Sequence, residues 1–323
     1  MNGETREPLP QAAVVGSGTM GYGIAQLLAL AGFACHVADT TPERARAACE
    51  RAVESAEAFE QAGLFAPGSS ARVAANIFPA PTPEAASAGA DVLFEAVSED
   101  ISVKQRLYAE IERSAAPACV IATNTSAIPI RDLAAELMHP GRFLGAHWFN
   151  PPQWVPCVEL IAGPDTESAT LELVKSILVR LGKRPVVVGD AAGFVANRIQ
   201  FAMFKEAAAV VADGVASAEE VDEVVRASFG FRLGAFGPFA IADMAGLDVY
   251  AGAYGALETG LGARFAAPPS LRELVGRGRL GTKSGGGYLD IPSRDVVALE
   301  ARRDAAYAAL ASLIAEKGLW DTR

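Results

Sequence analysis

The sequence predicts an α/β protein, with an N-terminal doubly wound sheet followed by a mainly helical C-terminal domain. Three observations carry this reading. Through the first ~190 residues, short apolar runs alternate with helical segments. A glycine-rich turn joins the first apolar run to the first helix. After Gly193 strand alternation fades and Ala-, Val- and Phe-rich helical segments take over.

Each element has a local cause. Residues 11–15 are an apolar run ending in Gly16 and read as a buried strand. Residues 24–30 have helical length and propensity, and Gly32 stops them. Residues 33–39 read as a second strand, which completes a βαβ start. Thr41 is a capping residue and Pro42 suits a first helical turn, so a long helix is expected over 42–62. Gly63 and the run Pro67-Gly68-Ser69-Ser70 break it. Residues 91–97, 119–124, 143–148, 158–161 and 184–188 read as further strands, and 101–115 and 171–181 as helices. Beyond Gly193, helices are expected over 194–214, 217–229, 249–257, 271–276 and 294–317. The domains expected are therefore 1–190 and 191–323. Within the second, residues 292–323 form an extra terminal helix with an apolar stripe at Val296, Leu299, Tyr307, Leu310, Leu313 and Ile314.

Composition narrows the function. Of 323 residues, 38 are acidic and 28 basic, a net charge of −10, which argues against a nucleic-acid or anionic-membrane surface. There is no apolar run of about 18 residues to span a membrane. Residues 1–8 are polar, without the apolar core of a secretion signal, and read as a short tail. A cytoplasmic protein is expected. Cys35, Cys49, Cys119 and Cys157 stand far apart with no C-x-x-C pair, so reduced thiols are expected, with neither a disulfide framework nor a metal site. His36, His139 and His147 are the only histidines, a short set of candidates for proton transfer near neutral pH.

Four motifs bear on chemistry. The first is Gly16-x-Gly18-x-x-Gly21, with Thr19 and Met20 inside it, between a strand and a helix; Asp39 closes the next strand 18 residues later. This is the context of a Rossmann-type dinucleotide site. Gly16 permits the tight turn, Gly18 admits a pyrophosphate to the backbone, and Gly21 allows close helix–strand packing. The helix N-terminus favours the phosphates. Asp39 is placed to accept from both ribose hydroxyls and to repel a 2′-phosphate, so NAD is expected over NADP, with Arg44 and Arg46 as the residues that could turn toward such a phosphate.

The second is Asn124-Thr125-Ser126, at the carboxyl end of a strand, where ligands bind open α/β sheets. Ser126 suits a substrate oxygen there, or equally a cap for a helix beginning near Ile130 or Arg131. The third is His147, ending an apolar run, with Glu159 twelve residues on. A carboxylate within reach would fix the imidazole tautomer and stabilise the imidazolium, but sequence alone does not bring the two together. The fourth is Asn197, in the first turn of the next long helix, either aimed into a cleft or making a helix-end contact.

Together these residues resemble the L-3-hydroxyacyl-CoA dehydrogenase family, including bacterial 3-hydroxybutyryl-CoA dehydrogenases. The resemblance covers roughly residues 10–290 and also rests on Glu95-Ala96-Val97-Ser98-Glu99-Asp100 with Lys104, His147-Trp148-Phe149-Asn150-Pro151, Gly193-Phe194-Val195-Ala196-Asn197-Arg198, Gly237-Pro238-Phe239 with Asp243, and Gly281-x-Lys283-x-Gly285-x-Gly287-Tyr288. It implies NAD as cofactor, no metal, and oxidation of a 3-hydroxyacyl-CoA, short-chain, to the 3-ketoacyl-CoA. His147 would be the general base, Glu159 its orienting partner, and Ser126 and Asn197 the donors on the substrate oxygen. Ala96, Val97, Glu99, Lys104, Asn124, Ser126, Asn150 and Lys283 would join the glycine turn and Asp39 around the cofactor. A helical second domain joining a homodimer is also implied.

Two departures point to an alternative. Trp148 and Trp154 stand where smaller residues are common in the family and are expected to narrow the acyl pocket. No lysine precedes Lys104, so Arg46, Arg51 or Arg72 would have to serve as phosphate partners. The alternative keeps the chemistry on a carnitine- or sugar-acid-like hydroxy acid, or on a carrier-protein-bound acyl group. A non-catalytic crystallin-like protein is a further alternative.

Overall fold

The computed structural model describes residues 10–320; the tail expected over residues 1–8 lies outside them. The chain divides into two units, one up to Met203 and one from Phe204 onward.

The first unit is built on one eight-stranded sheet. Its strands are β1 (Gln11–Val15), β2 (Ala34–Ala38), β3 (Ile77–Pro79), β4 (Val92–Glu95), β5 (Val120–Thr123), β6 (Phe143–Trp148), β7 (Cys157–Ala162) and β8 (Arg184–Val188). The order is β3-β2-β1-β4-β5-β6-β7-β8. Every pair is parallel except β6 with β7. The chain works outward from β1 to β3, then returns to lay β4 on the other side of β1. That reversal opens a crevice at the carboxyl ends of β1 and β4. Strands β4 and β5 are buried along their whole length, which is why they read as continuous apolar runs.

Helices α1 (Thr19–Leu30), α2 (Pro42–Gln61), α3 (Ser69–Asn76), α4 (Pro83–Ser87), α5 (Ile101–Ser114), α6 (Ile130–Ala134) and α7 (Ser168–Arg180) cover the two faces. One core packs Val14, Phe94, Trp148 and Leu160 under α1, α2 and α7. The other packs Val15, Leu93, Ile121 and Phe143 under α5 and α6. Gly63, at φ +70°, follows the end of α2 at Gln61, and in the run 67–70 Gly68, at φ +86°, opens α3, a helix not expected from sequence. The Glu60 carboxylate ties this turn by accepting from the N–H groups of Gly68 and Ser70 at 2.6 and 2.9 Å.

Helix α8 (Ala196–Ala212) follows, then α9 (Ala218–Val225), a π-helical segment Arg226–Gly230 and α10 (Phe231–Leu233), where one helix was expected over 217–229. Ser217 caps α9 through a capping box with Glu220. Next come α11 (Pro238–Ala245), not expected from sequence, α12 (Leu247–Leu261), α13 (Pro269–Gly276) and α14 (Val296–Lys317). Ala242, Leu247 and Leu271 form a small core in the second unit. Part of the stripe on α14 packs within its own unit, where Tyr307 meets Phe231 and Phe236 at ring distances of 5.4 and 6.1 Å, while Leu313 stays 46% exposed. Among the described residues no helix is long and apolar enough to cross a membrane.

Candidate active site

The ends of β1, β2, β4, β5 and β6 and the turns after them assemble the site. After β1, Gly16 takes φ +94°, and a Cβ there would sit 2.5 Å from the Ala96 carbonyl of the neighbouring strand end. A Cβ on Gly21 would overlap the Gly16 carbonyl oxygen, whereas one on Gly18 would meet nothing within 4 Å. Two glycines thus close the turn and the third leaves its backbone open, as a phosphate-binding turn requires. A cleft of about 730 Å³ runs from this turn past Asp39 and Val97 to Leu107. Burial raises the pKa of the Asp39 carboxyl, but hydrogen bonds from Ser17 and Thr40 outweigh it and lower the value to about 2.

Next to the turn lies a buried polar network. Glu95, at the end of β4, accepts from the Val97 N–H (2.7 Å), Lys104 Nζ (2.7 Å), Tyr108 Oη (2.6 Å) and Thr123 Oγ1 (2.7 Å). Burial and the Glu95 charge raise the Tyr108 pKa well above its ordinary value, so it stays a donor. Lys104 also pairs with Glu99 at 3.5 Å. Glu99 in turn accepts from Thr125 Oγ1 (2.6 Å) and the N–H groups of Ser126 (2.7 Å) and Ala127 (3.1 Å). Burial raises the Glu99 pKa, but these donors and Lys104 outweigh it and leave it lowered. The Ser126 loop is therefore held from below by a fixed negative charge.

The antiparallel register of β6 and β7 sets His147 directly opposite Glu159, on the same face of the sheet. Nδ1 lies 2.8 Å from Glu159 Oε2, where an Nδ1–H donates to the carboxylate, and Nε2 is the ring nitrogen turned away from it. Both side chains are about nine-tenths buried or more. The other oxygen of Glu159 accepts from the N–H groups of Val195 (3.1 Å) and Ala196 (2.9 Å), at the start of α8. Just before them, Phe194 is buried at φ +46°, a strained conformation for a bulky residue, with its ring 5.7 Å from His147. One turn on, Asn197 Nδ2 donates to the Ser126 carbonyl at 3.0 Å. The Ser126 hydroxyl and His147 Nε2 make no hydrogen bond among the described residues.

The sequence covered by residues 11–191 matches the family model for the NAD-binding domain of 3-hydroxyacyl-CoA dehydrogenase, and residues 193–291 match that for its C-terminal domain. The chain belongs to the 3-hydroxyacyl-CoA dehydrogenase family. It is an NAD-dependent oxidoreductase. A Mesorhizobium japonicum relative, 5-formyl-3-hydroxy-2-methylpyridine 4-carboxylate 5-dehydrogenase, is 36% identical over 90% of this chain and 94% of its own. A probable 3-hydroxybutyryl-CoA dehydrogenase of Bacillus subtilis is 35% identical over 87% and 97%. Among solved structures, a 3-hydroxyacyl-CoA dehydrogenase of Archaeoglobus fulgidus shares 30% identity and a TM-score of 0.77 over 96% of this chain and 99% of that one.

Within this dehydrogenase, several expected residues stand elsewhere than the sequence reading put them. Lys104, expected among the groups around the cofactor, is fully buried, and its ammonium pairs with Glu95 and Glu99. Ser126 does not cap the following helix. Its first turn is satisfied by Asp190, which accepts from the N–H groups of Ile130 and Arg131 at 2.9 and 3.1 Å. Trp148 does not narrow an acyl pocket, because the pleat turns it to the sheet face opposite His147, where it meets Phe94. Trp154 is partly exposed and packs on Phe59 and Phe65 at the end of α2.

Asn124 uses its amide oxygen to accept from the Trp148 N–H at 2.8 Å, splinting β5 to β6. Asn150 is exposed just beyond β6. In the second unit, Lys283 pairs with Asp248 at 2.8 Å. Glu95, Tyr108, Thr125 and Asp190 were missed. One signal was there: a glutamate inside the apolar run Val92-Leu93-Phe94-Glu95-Ala96-Val97 needs buried partners. Cys35, Cys49 and Cys119 are buried free thiols and Cys157 is half-buried.

Proposed function

We propose that this dehydrogenase oxidises a short-chain L-3-hydroxyacyl-CoA to the 3-ketoacyl-CoA, with His147 as general base. The observation that carries this reading is the His147–Glu159 pair at 2.8 Å, with Glu159 held by the start of the same helix whose Asn197 ties the Ser126 loop. Bound NAD would supply the acceptor for the hydride of the carbinol carbon. His147 Nε2 takes the hydroxyl proton, and Glu159, fixed by the start of α8, stabilises the imidazolium. Ser126 Oγ donates to the substrate oxygen as charge develops there. Asn197 Nδ2 carries two hydrogens. One is spent on the Ser126 carbonyl, which sets the loop, and the second serves the same oxygen. The open backbone at Gly18, with Thr19, Met20 and the Ala96–Val97 turn, receives the pyrophosphate side of the cofactor, and Asp39 the adenosine ribose.

In this reading residues 1–190 hold NAD, and residues 191–323 form a helical substrate and dimerisation domain. Support for a homodimer comes from α8, which has no buried residue while Phe201 and Phe204 stand 62% and 67% exposed. Apolar side chains of that size call for cover, and a two-fold copy supplies it. The cytoplasm is the proposed location.

A second reading keeps the proton and hydride steps but moves them to a hydroxy acid without CoA. It is supported by the Mesorhizobium relative, named for a pyridine carboxylate, and by the lack of any lysine before Lys104. NAD reduction with 3-hydroxybutyryl-CoA, carnitine, free 3-hydroxy acids and hydroxymethylpyridine carboxylates decides between them. We expect kcat/KM for the CoA ester to exceed the rest by about 100-fold, the loss that follows when built-in contacts to a carrier go unused. A reversed order selects the second reading, and no turnover with any of them overturns both.

A further inference from the structure

A second cavity, of about 540 Å³, lies at the other end of the sheet from the cofactor turn. Its walls are the segment leading into β5 (Pro117), the segment leading into β6 (Arg142) and the first turns of α7 with the residue before them (Glu167, Thr170, Leu173). Strands β5 and β6 are parallel, so their amino ends lie together, away from the crevice at the carboxyl ends. The four residues of β5 put roughly 13 Å between the two ends. The volume falls in the range of small-molecule sites.

Arg142 is the unusual group on this lining. It is only 9% exposed, yet among the described residues it joins no ion pair. Its Nη1 donates to the carbonyls of Ala116 at 2.8 Å and Pro117 at 3.1 Å, while Nε is buried without a partner. The buried Glu112 carboxylate does not answer it, being taken by the N–H groups of Met138 and His139. A buried cation without a counter-charge is costly unless an anion completes it. The second donor set is the start of α7, a helix of 13 residues whose N-cap, Glu167, makes no side-chain bond to its first turn. Unanswered N–H groups and the positive end of a helix dipole favour an anion, and a guanidinium matches its oxygens. We propose that this cavity binds the phosphate or carboxylate group of a small metabolite, held between the Arg142 guanidinium and the first turn of α7. The one carboxylate on the lining, Glu167, and the one histidine, His139, are both exposed. The site is separate from the cofactor crevice and shares no residue with it.

The experiment uses the full chain with saturating NADH, so that the glycine turn is already occupied. Inorganic phosphate and citrate are titrated and the melting temperature is read, with chloride at matched ionic strength as the control. A saturable rise is expected with at least one of them, since a ligand that binds only the folded chain stabilises it. A rise with phosphate alone assigns a phosphoryl group, and one with citrate alone a carboxylate. Arg142→Gln is expected to weaken the responding anion at least about tenfold, the usual loss for a charged hydrogen-bond donor, with NADH affinity unchanged. Glu167→Gln is expected to tighten it about two- to fivefold, as an exposed like charge leaves the lining. A wild type that responds to neither anion beyond chloride overturns the proposal. So does an Arg142→Gln protein that responds as the wild type does. Should Arg142→Gln fail to fold, Leu173→Glu, at a side chain 38% exposed, adds a carboxylate to the lining and must weaken the anion about two- to fivefold; an unchanged affinity overturns the site.

Discussion

The strand-end site and the helices after Val195 use apolar and polar residues in opposite ways. At the site the charged side chains are matched: buried Glu95 by four donors, partly exposed Glu99 by three and Lys104, and buried Glu159 by His147 and the start of α8. In α8, α9 and α14 no residue is buried, and large apolar side chains face outward. The first region is finished within one chain. The second leaves large apolar side chains exposed, the surface that the proposed homodimer would cover. Rigidity at the site therefore comes from satisfied charge, and association is expected where packing is left open.

The largest effect that tests this contrast is chemical. His147→Gln is expected to lower kcat by about 10²–10⁴-fold, the range for losing a positioned base, while NADH titration gives an unchanged affinity. Glu159→Gln should lower kcat less, because the imidazole remains. Near-normal turnover in the His147 variant would move the proton to another residue and break the assignment.

The next effect is on stability. Glu95→Ala strands the Lys104 ammonium in a fully buried site, and the expected loss is about 3–5 kcal/mol in chemical denaturation, with Lys104→Met in the same chain restoring part of it. A Glu95→Ala loss below about 1 kcal/mol, the worth of an exposed pair, would show that the network is not sealed.

In the helical region, Phe204→Glu is expected to convert a dimer to a monomer by light scattering at micromolar concentration, since a charge at a closed apolar contact costs more than a weak interface returns. A wild-type chain that is already monomeric would falsify the proposed homodimer. Ending the chain at Pro292 uncovers Phe231 and Phe236, which Tyr307 now packs against, and should lower the melting temperature by about 2–4 °C per kcal/mol lost.

The smallest effect is titrational. The Asp39 pKa falls from 3.8 to about 2 on folding, so the carboxylate adds stability above pH 3.8 and loses it as pH drops toward 2. Acid unfolding of wild type and Asp39→Ser should differ near neutrality and converge by pH 2; a gap that persists there would assign the difference to packing.

Much of this architecture was legible beforehand because its causes are local. The glycine turn, the alternation of apolar runs with helices, and the cap at Thr41 depend on residues within a few positions of one another. The short elements α3, β3, α4 and α11 were not read, since three to eight residues give too little periodicity to stand out. The opposed directions of His147 and Trp148 follow from the pleat and were available in the sequence, although an acyl-pocket role for Trp148 was expected.

By itself the sequence determined the kinds of groups and their local geometry: a phosphate-binding turn, an acidic residue at the end of β2, and a histidine at the end of β6. Only the tertiary structure decided which of them meet. Glu159 faces His147 because β7 turns antiparallel beside β6, in a register that a shift of one residue would have reversed. Lys104 is a buried counter-charge because α5 lays it over Glu95, and Asp190 caps α6 from 60 residues away. Strand order and register are set by packing across the whole sheet, where contacts distant in sequence outweigh the preferences of any one segment.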